Sequence, residues 1–207
     1  MLGTIAALIM LVTSPAKPQI LGASNVVLAS HSFSLEDRYG NNFVNGVFKD
    51  NILLTLAYMD GLVKSKPDIS WDRVESPSRY KFTLDPGQEF AFHEKTLPDY
   101  TENVVQTTNA HFNWNEGFKY DGDLTGDGVC HLASLIYWTA KDAGLSAYAP
   151  SNHNFAKIPD VPKEYGVAIM STSPLGNLYI TDNLDKPITF IFNYDGSNLS
   201  VSITEEN

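Results

Sequence analysis

The chain has a single cysteine, Cys130, and its surroundings suit a nucleophile. Glycine and aspartate, which favour turns, dominate the preceding residues DGDLTGDGV, and the following residues have the periodicity of an amphipathic helix that ends at Gly144. A thiol in the first turn of a helix lies near the positive end of the helix dipole and near unpaired N–H groups, which favour the thiolate. We therefore predict that Cys130 is a catalytic thiol; the alternative is a small buried apolar side chain.

A catalytic thiol needs a general base and a group that orients that base. We predict that His153 is the base, because it follows the helix and lies at the entry to the predicted C-terminal strands. His131 is adjacent to Cys130, but successive helical residues differ in direction by about 100°, so the two side chains diverge. Glu164 and Asp182 are both candidates for the orienting acid, and the sequence does not rank them.

The turn before the helix also resembles the opening of a calcium-binding loop. From Asp123 to Gly128, oxygen-bearing side chains recur at alternate positions and glycine is the sixth residue. Ser134 stands where such a loop carries a bidentate glutamate at its twelfth position. We prefer to interpret the turn as an acidic surface loop that lets backbone amides approach a substrate, and we predict no metal and no cofactor.

The composition excludes nucleic acid as a partner, and the N-terminus indicates export. The net charge is −10 and only 14 residues are Lys or Arg, too few to neutralise phosphates in clusters. Residues 2–12 form an apolar run that is too short for a transmembrane helix of about 20 residues but suits a secretory signal. We predict that residues 1–23 are a signal peptide or membrane-targeting segment and that the mature protein begins near Ser24, outside the cytoplasm. The alternatives are an uncleaved segment that tethers the protein to a membrane, and a buried N-terminal strand or helix.

The pattern of apolar residues predicts an α+β fold in which the Cys130 helix packs on an antiparallel sheet. A second helix is predicted over residues 48–62, after a loop over residues 36–45. By this interpretation residues 24–79 form a helical and irregular N-terminal part of the domain, and residues 80–207 form its core.

Alternating apolar residues predict the strands. Residues 80–92 are expected to form a hairpin or a kinked strand, because Asp85-Pro86-Gly87 has the residues of a tight turn. Asp195-Gly196 between two apolar runs predicts a further hairpin. The other predicted strands are residues 26–33, 165–171, 176–181, 187–194 and 199–204.

From Pro86 onward the chain resembles the VanW-like family of bacterial cell-envelope proteins. The family's Pro-Gly-Glu-x-Phe-Ser-Phe-Asn stretch is similar to PGQEFAFH, and its Gly-Gly-Val-Cys-Gln-Val-Ser-Ser turn and helix is similar to DGVCHLAS, which contains Cys130. A His-Ser-Tyr element matches His153-Asn154-Phe155, and an Asp-Ala-Thr-Val strand corresponds to EYGV, which begins at Glu164. The closing Asp-Leu-x-Phe-x-Asn element is similar to NLYITDN, which contains Asp182.

The resemblance implies an exported cell-envelope protein that acts on peptidoglycan as a cysteine L,D-transpeptidase. Cys130 would attack a stem-peptide carbonyl between an L- and a D-centre, and the acyl-thioester would pass to an amine of a neighbouring stem while His153 shuttles the proton. Backbone N–H groups at Gly128, Val129 and His131 are the expected oxyanion donors.

Two departures from the family pattern keep a second class of protein open. His131 replaces a glutamine and Glu164 replaces an aspartate, which is compatible with a weakened site. The alternative is a non-catalytic cell-wall or partner-binding module with an aromatic groove, and a third possibility is a structural envelope domain in which the cysteine is merely packed. If the protein is an enzyme, we predict that Trp114 contacts its substrate. If the protein is a binding module, Trp114 would line the groove with Phe118, Tyr120 and Trp138.

Overall fold

In the computed structural model, which describes residues 25–122 and 126–206, two four-stranded sheets pack with α-helices, and the predicted α+β class is confirmed. The targeting segment predicted for residues 1–23 lies outside the described residues. No helix in the described part of the chain is both long enough and apolar enough to span a membrane. The helices are α1 Asn42–Met59, α2 Trp71–Val74 and α3 Val129–Asp142. The strands are β1 Val26–Ser34, β2 Ser78–Leu84, β3 Glu89–Ala91, β4 Val104–Gln106, β5 Ser146–Tyr148, β6 Tyr179–Thr181, β7 Ile188–Tyr194 and β8 Asn198–Glu205.

The two sheets differ in how their strands run. The first has the order β1-β8-β7-β2 and is antiparallel throughout. The second has the order β4-β3-β6-β5 and combines a parallel β3–β4 pair with antiparallel neighbours. The predicted hairpin at Asp195-Gly196 is confirmed, since it joins β7 to β8 and the Asp195 carboxylate accepts the N–H groups of Ser197 (2.9 Å) and Asn198 (2.7 Å).

The turn at residues 85–87 carries the chain from one sheet to the other. β2 pairs with β7, whereas β3 pairs with β4 and β6, so the two strands do not form a hairpin. Gly87 has a φ of +82° and donates its N–H to the carbonyl oxygen of Asp182 at 2.8 Å, which ties the turn to the second sheet. Neither form predicted for residues 80–92 is correct, because the stretch contains two separate strands that belong to different sheets. The stacked rings of Phe82 and Phe90, 5.4 Å apart, join the two sheets in one apolar core.

Helix α1 begins earlier than predicted because Asn41 caps it. The Asn41 side chain accepts the N–H groups of Phe43 (2.9 Å) and Val44 (3.4 Å), which stabilises the first turn. The prediction of a loop up to residue 45 is therefore wrong for its last residues. Beyond that turn the helix is buried, with Ile52 and Leu54 fully inside the core.

Helix α3 carries Cys130 and packs against α1, β1, β5 and β8. One face of the helix lies in the core, because Leu132, Leu135, Ile136, Thr139 and Ala140 are all fully buried. The helix ends at Asp142, and Gly144 with a φ of +79° follows it, as expected for a helix terminus.

The strand predicted over residues 165–171 does not form. Within the described residues, this stretch makes a single isolated bridge, between Asn152 and Val167. Two of its N–H groups bond to α3 instead: Val167 donates to the Ser134 hydroxyl (2.9 Å) and Ile169 to the Cys130 sulfur (3.3 Å). The segment is therefore held against the start of the helix rather than in a sheet.

Candidate functional site

Two glycines with positive φ allow the start of α3 to lie close to neighbouring backbone. Gly128 is the N-cap residue with a φ of +97°, and a Cβ there would lie 2.6 Å from the carbonyl oxygen of Phe48 in α1. Gly126 has a φ of +90°, and its Cβ would lie 3.1 Å from the carbonyl oxygen of Phe112. Any side chain at Gly128 would strain the backbone and displace α1, so this glycine fixes where Cys130 sits.

Asn51 of α1 ties down the loop that precedes α3. Its amide group donates to the carbonyl oxygens of Lys119 (3.1 Å) and Asp127 (2.9 Å), and its carbonyl accepts the N–H of Lys119 (2.7 Å). Asn51 is fully buried, so it satisfies backbone groups that would otherwise be unpaired in the interior. The sequence analysis missed this residue, because a lone asparagine in an apolar helical pattern gives no indication of distant partners.

The Cys130 thiol is half-buried and accepts the N–H of Ile169 at 3.3 Å. Burial raises the pKa of the Cys130 thiol above its ordinary value and outweighs the Ile169 N–H, which favours the thiolate; the charge of Asp127 raises the pKa further. The thiol is therefore protonated at neutral pH in the free protein. The effect of the helix dipole, on which the predicted activation rested, does not prevail here.

Cys130 and His153 line one cavity of about 600 Å³. This size is within the range of small-molecule sites. Among the described residues no hydrogen bond joins the Cys130 sulfur to the His153 ring, so the two predicted partners share the cavity without being hydrogen-bonded to each other. Aromatic side chains form much of the remaining wall, namely Tyr39, Phe48, Phe112 and Phe155.

A backbone carbonyl orients His153. Its Nδ1 lies 3.1 Å from the carbonyl oxygen of Ala156, and since a carbonyl can only accept, Nδ1 carries the hydrogen. Nε2 is therefore the nitrogen with a free lone pair, as a general base requires. The ring is buried and lies against Phe155, with centroids 3.9 Å apart, and the backbone N–H donates to the carbonyl oxygen of Gly166 at 3.1 Å.

Neither acid predicted to orient His153 is in this cavity. Glu164 is exposed on a short 3-10 helix, Lys163–Tyr165, rather than on a strand. Asp182 is buried directly after β6, where one carboxylate oxygen accepts the N–H of Leu184 at 2.9 Å and the other has no hydrogen-bond partner among the described residues. Burial raises the pKa of Asp182. The orienting role falls to the Ala156 carbonyl, because the loop folds back on itself beside the ring.

Most of the N–H groups predicted as oxyanion donors are occupied by hydrogen bonds to backbone carbonyl oxygens at the start of α3. Val129 donates its N–H to the carbonyl oxygen of Gly126 (3.1 Å), and His131 donates to that of Gly128 (3.0 Å). The N–H of Cys130 makes no backbone hydrogen bond to any described residue. This N–H instead lies near the sulfur of its own residue, where it favours the thiolate. Among Val129, Cys130 and His131, Cys130 therefore has the N–H group without a carbonyl acceptor in the described residues.

His131 belongs to a buried network with Arg38 and Tyr39. Arginine can only donate, so the contact of its guanidinium with His131 Nδ1 (3.4 Å) requires Nδ1 to accept, and Nε2–H then donates to the Tyr39 hydroxyl (3.3 Å). Burial, followed by the charge of Arg38, lowers the pKa of His131 to about 3, so the ring is neutral. Arg38 also donates to the carbonyl oxygen of Pro159 (2.9 Å). The hydroxyl hydrogen of Tyr39 is consequently directed away from His131 and available to a group in the cavity.

The structure departs from the sequence analysis at two aromatic residues, because Trp114 lies outside the cavity and His111 lies in its wall. Trp114, the predicted substrate contact, lies outside the cavity and is 63% exposed, with the Lys66 ammonium 4.5 Å from its ring centroid. His111, which the sequence analysis did not single out, does line the cavity. Its ring nitrogens pair with Glu94 (2.8 Å) and Glu116 (2.6 Å), and these carboxylates raise the pKa of His111. Because both nitrogens are occupied, His111 is not placed to act as the base.

The calcium-loop alternative rests largely on residues 123–125, which lie outside the described residues. Of the oxygen-bearing side chains at residues 123, 125 and 127, that of Asp127 is described, and it lines the Cys130 cavity. In residues 25–122 and 126–206, no three His, Cys, Asp or Glu side chains are grouped so that they could hold a metal ion.

The fold and the cavity define an α+β protein with a candidate thiol site at the start of helix α3. The family model described as VanW like protein matches residues 78–204, which is more than half of the chain. The chain therefore belongs to the VanW-like family, and Cys130 and His153 both lie in the matched part. No curated protein and no solved structure matches the chain.

Proposed function

We propose that this VanW-like protein is an exported cell-envelope enzyme that transfers acyl groups through Cys130, with peptidoglycan stem peptides as acyl donors. The observation that carries the proposal is that Cys130 and His153 line one cavity while the Ala156 carbonyl holds His153 with Nε2 as the acceptor. Membership of the family supports the cell envelope and the peptidoglycan substrate. The apolar run at residues 2–12 supports export.

In the proposed reaction His153 Nε2 takes the thiol proton as the Cys130 sulfur attacks the peptide carbonyl carbon. The C–S bond forms, and the Cys130 N–H stabilises the oxyanion. The peptide C–N bond then breaks, the leaving amine takes the proton from His153, and an acyl-thioester remains. An amine of a second stem attacks the thioester, the C–S bond breaks, and the proton of that amine returns through His153 to the sulfur.

The raised pKa of the thiol determines when activation occurs. Because the Cys130 thiol is protonated in the free protein, the thiolate forms by proton transfer in the substrate complex rather than beforehand. The proposal requires His153 and Cys130 to approach each other when substrate fills the cavity, and catalytic contacts that are long in a free enzyme commonly tighten in this way.

Tyr39 supplies a second hydrogen-bond donor in the cavity. Its hydroxyl accepts from His131, so its hydrogen can bond to a substrate carbonyl in the cavity. Removing the hydroxyl in Tyr39→Phe should slow acyl-enzyme formation on the order of tenfold, the effect of one neutral hydrogen bond. The thermal stability of Tyr39→Phe, measured alongside, separates a loss of this contact from unfolding.

The test is intact-protein mass spectrometry after incubation with a purified stem tetrapeptide. The wild type should gain the mass of the acyl group, Cys130→Ala should gain none, and His153→Gln should form the adduct about 10²- to 10⁴-fold more slowly. His111→Gln is the matched control, because that ring lines the same cavity but has both nitrogens paired, and it should retain the wild-type rate. An adduct on Cys130→Ala, or equal losses in the two histidine variants, would refute the assignment.

A second candidate function is a non-catalytic peptidoglycan-binding module. It is favoured by the raised pKa of the thiol and by the missing hydrogen bond between Cys130 and His153 among the described residues. In that case the aromatic cavity binds the stem without chemistry, and wild type and Cys130→Ala should sediment equally with purified sacculi. Binding of the wild type to sacculi, with no adduct under any condition, would decide for the module.

A further inference from the structure

A second pocket, of about 420 Å³, adjoins the Cys130 cavity. His153, Phe155 and Ala156 line both spaces, so the segment that holds the predicted base is also the partition between them. The loop over residues 153–163 forms nearly all of the second pocket, with Gly166 completing it. We call it the lysine pocket, because Lys157 and Lys163 both line it.

The lining of the lysine pocket combines an apolar floor with positive charge. Ile158 and Val161 are buried in it, and Pro162 lies beside them. Lys157 and Lys163 are exposed, and neither ammonium group forms an ion pair or hydrogen bond with any described residue. In a chain with a net charge of −10, two uncompensated cations at one small pocket favour a ligand that is apolar and has an anionic end.

We propose that the lysine pocket binds the free carboxyl-terminal residue of the substrate peptide. The aliphatic side chain of that residue lies against Ile158 and Val161, and its carboxylate lies between the ammonium groups of Lys157 and Lys163. The identity of the ligand as the substrate peptide rests on the proposed function. Because the pocket shares its wall with the Cys130 cavity, the bond that reacts is then close to the free carboxyl end of the peptide.

The test compares two forms of one probe, an N-acetylated stem tetrapeptide that ends either in a free carboxylate or in a carboxamide. Binding to Cys130→Ala is measured by calorimetry, so that no chemistry intervenes. The free acid should bind at least about threefold more tightly than the carboxamide, as expected for two exposed charge contacts. The Lys157→Gln/Lys163→Gln double variant in the same background should bind the two forms equally. The control is Lys81→Gln/Lys95→Gln, which removes two exposed lysines outside both spaces and should keep the preference for the acid.

Equal binding of acid and carboxamide by Cys130→Ala would overturn the inference, as would absence of binding of both or a preference that survives loss of Lys157 and Lys163. Because the assay needs no reactive thiol, its result is independent of the enzyme proposal. A preference for the acid that depends on these lysines, together with no acyl-enzyme in the wild type, would retain the lysine pocket and refute acyl transfer.

Discussion

Replacement of Gly128 by alanine is the sharpest test of how the site is built. Gly128 has a φ of +97°, and an alanine Cβ would lie 2.6 Å from the carbonyl oxygen of Phe48. The left-handed backbone alone costs an L-residue about 1–2 kcal/mol. Displacing packed backbone costs about 1–3 kcal/mol more. The free energy of unfolding of Gly128→Ala should therefore fall by about 2–5 kcal/mol, measured by urea denaturation monitored by fluorescence.

Gly144→Ala is the matched control for the close approach to α1. Gly144 also has a positive φ, +79°, but a Cβ there would meet nothing within 4 Å. Its replacement should cost only the backbone component, about 1–2 kcal/mol. If the two variants lose equal stability, the contact between Gly128 and Phe48 does not fix the start of α3, and the account of how Cys130 is positioned is wrong.

Three further predictions concern buried groups. Because burial raises the pKa of the Cys130 thiol, its rate of alkylation by iodoacetamide should keep rising with pH beyond the ordinary thiol pKa, and a plateau below that value would contradict the structure. Ser134→Ala leaves the N–H of Val167 unpaired in the core and should lower the free energy of unfolding by about 1–3 kcal/mol, more than Thr139→Ala, whose hydroxyl bonds only within its own helix; equal losses would refute this. Burial raises the pKa of Asp182, so the folded state binds its proton more tightly than the unfolded state, and stability falls as pH rises through the window above the ordinary Asp pKa. Asp182→Asn should therefore be at least as stable as the wild type at pH 7 and lose this advantage near pH 3, which thermal unfolding at both pH values checks.

The sequence predicted elements well where the signal is local. The Cys130 helix, its buried face and its end shortly before Gly144 follow from periodicity and one glycine, and the β7–β8 hairpin follows from Asp195-Gly196. The predictions from sequence failed where hydrogen bonds to residues distant in the chain decide the structure. The stretch from 165 to 171 has strand-like residues, but Val167 and Ile169 bond to α3, and no local pattern indicates such partners.

The candidate site shows the same division. The order of Cys130 and His153 along the chain led to the prediction that they act together, and both line one cavity, but among the described residues no hydrogen bond joins them. The orienting group was not predictable, because it is the backbone carbonyl of Ala156, and every residue has such a group. Tyr39 was missed because it comes from the N-terminal part of the chain and enters the site through contacts with the distant His131.

The sequence by itself determined the glycine turn, the helix that follows it, the cysteine at their junction and the family to which the chain belongs. Only the tertiary structure decided that the Cys130 thiol is protonated, that His153 accepts at Nε2, and that Lys157 and Lys163 line an adjoining pocket. The physical reason is that helix and turn formation depend on residues a few positions apart, whereas burial, hydrogen-bond partners and cavity walls depend on which distant segments pack together.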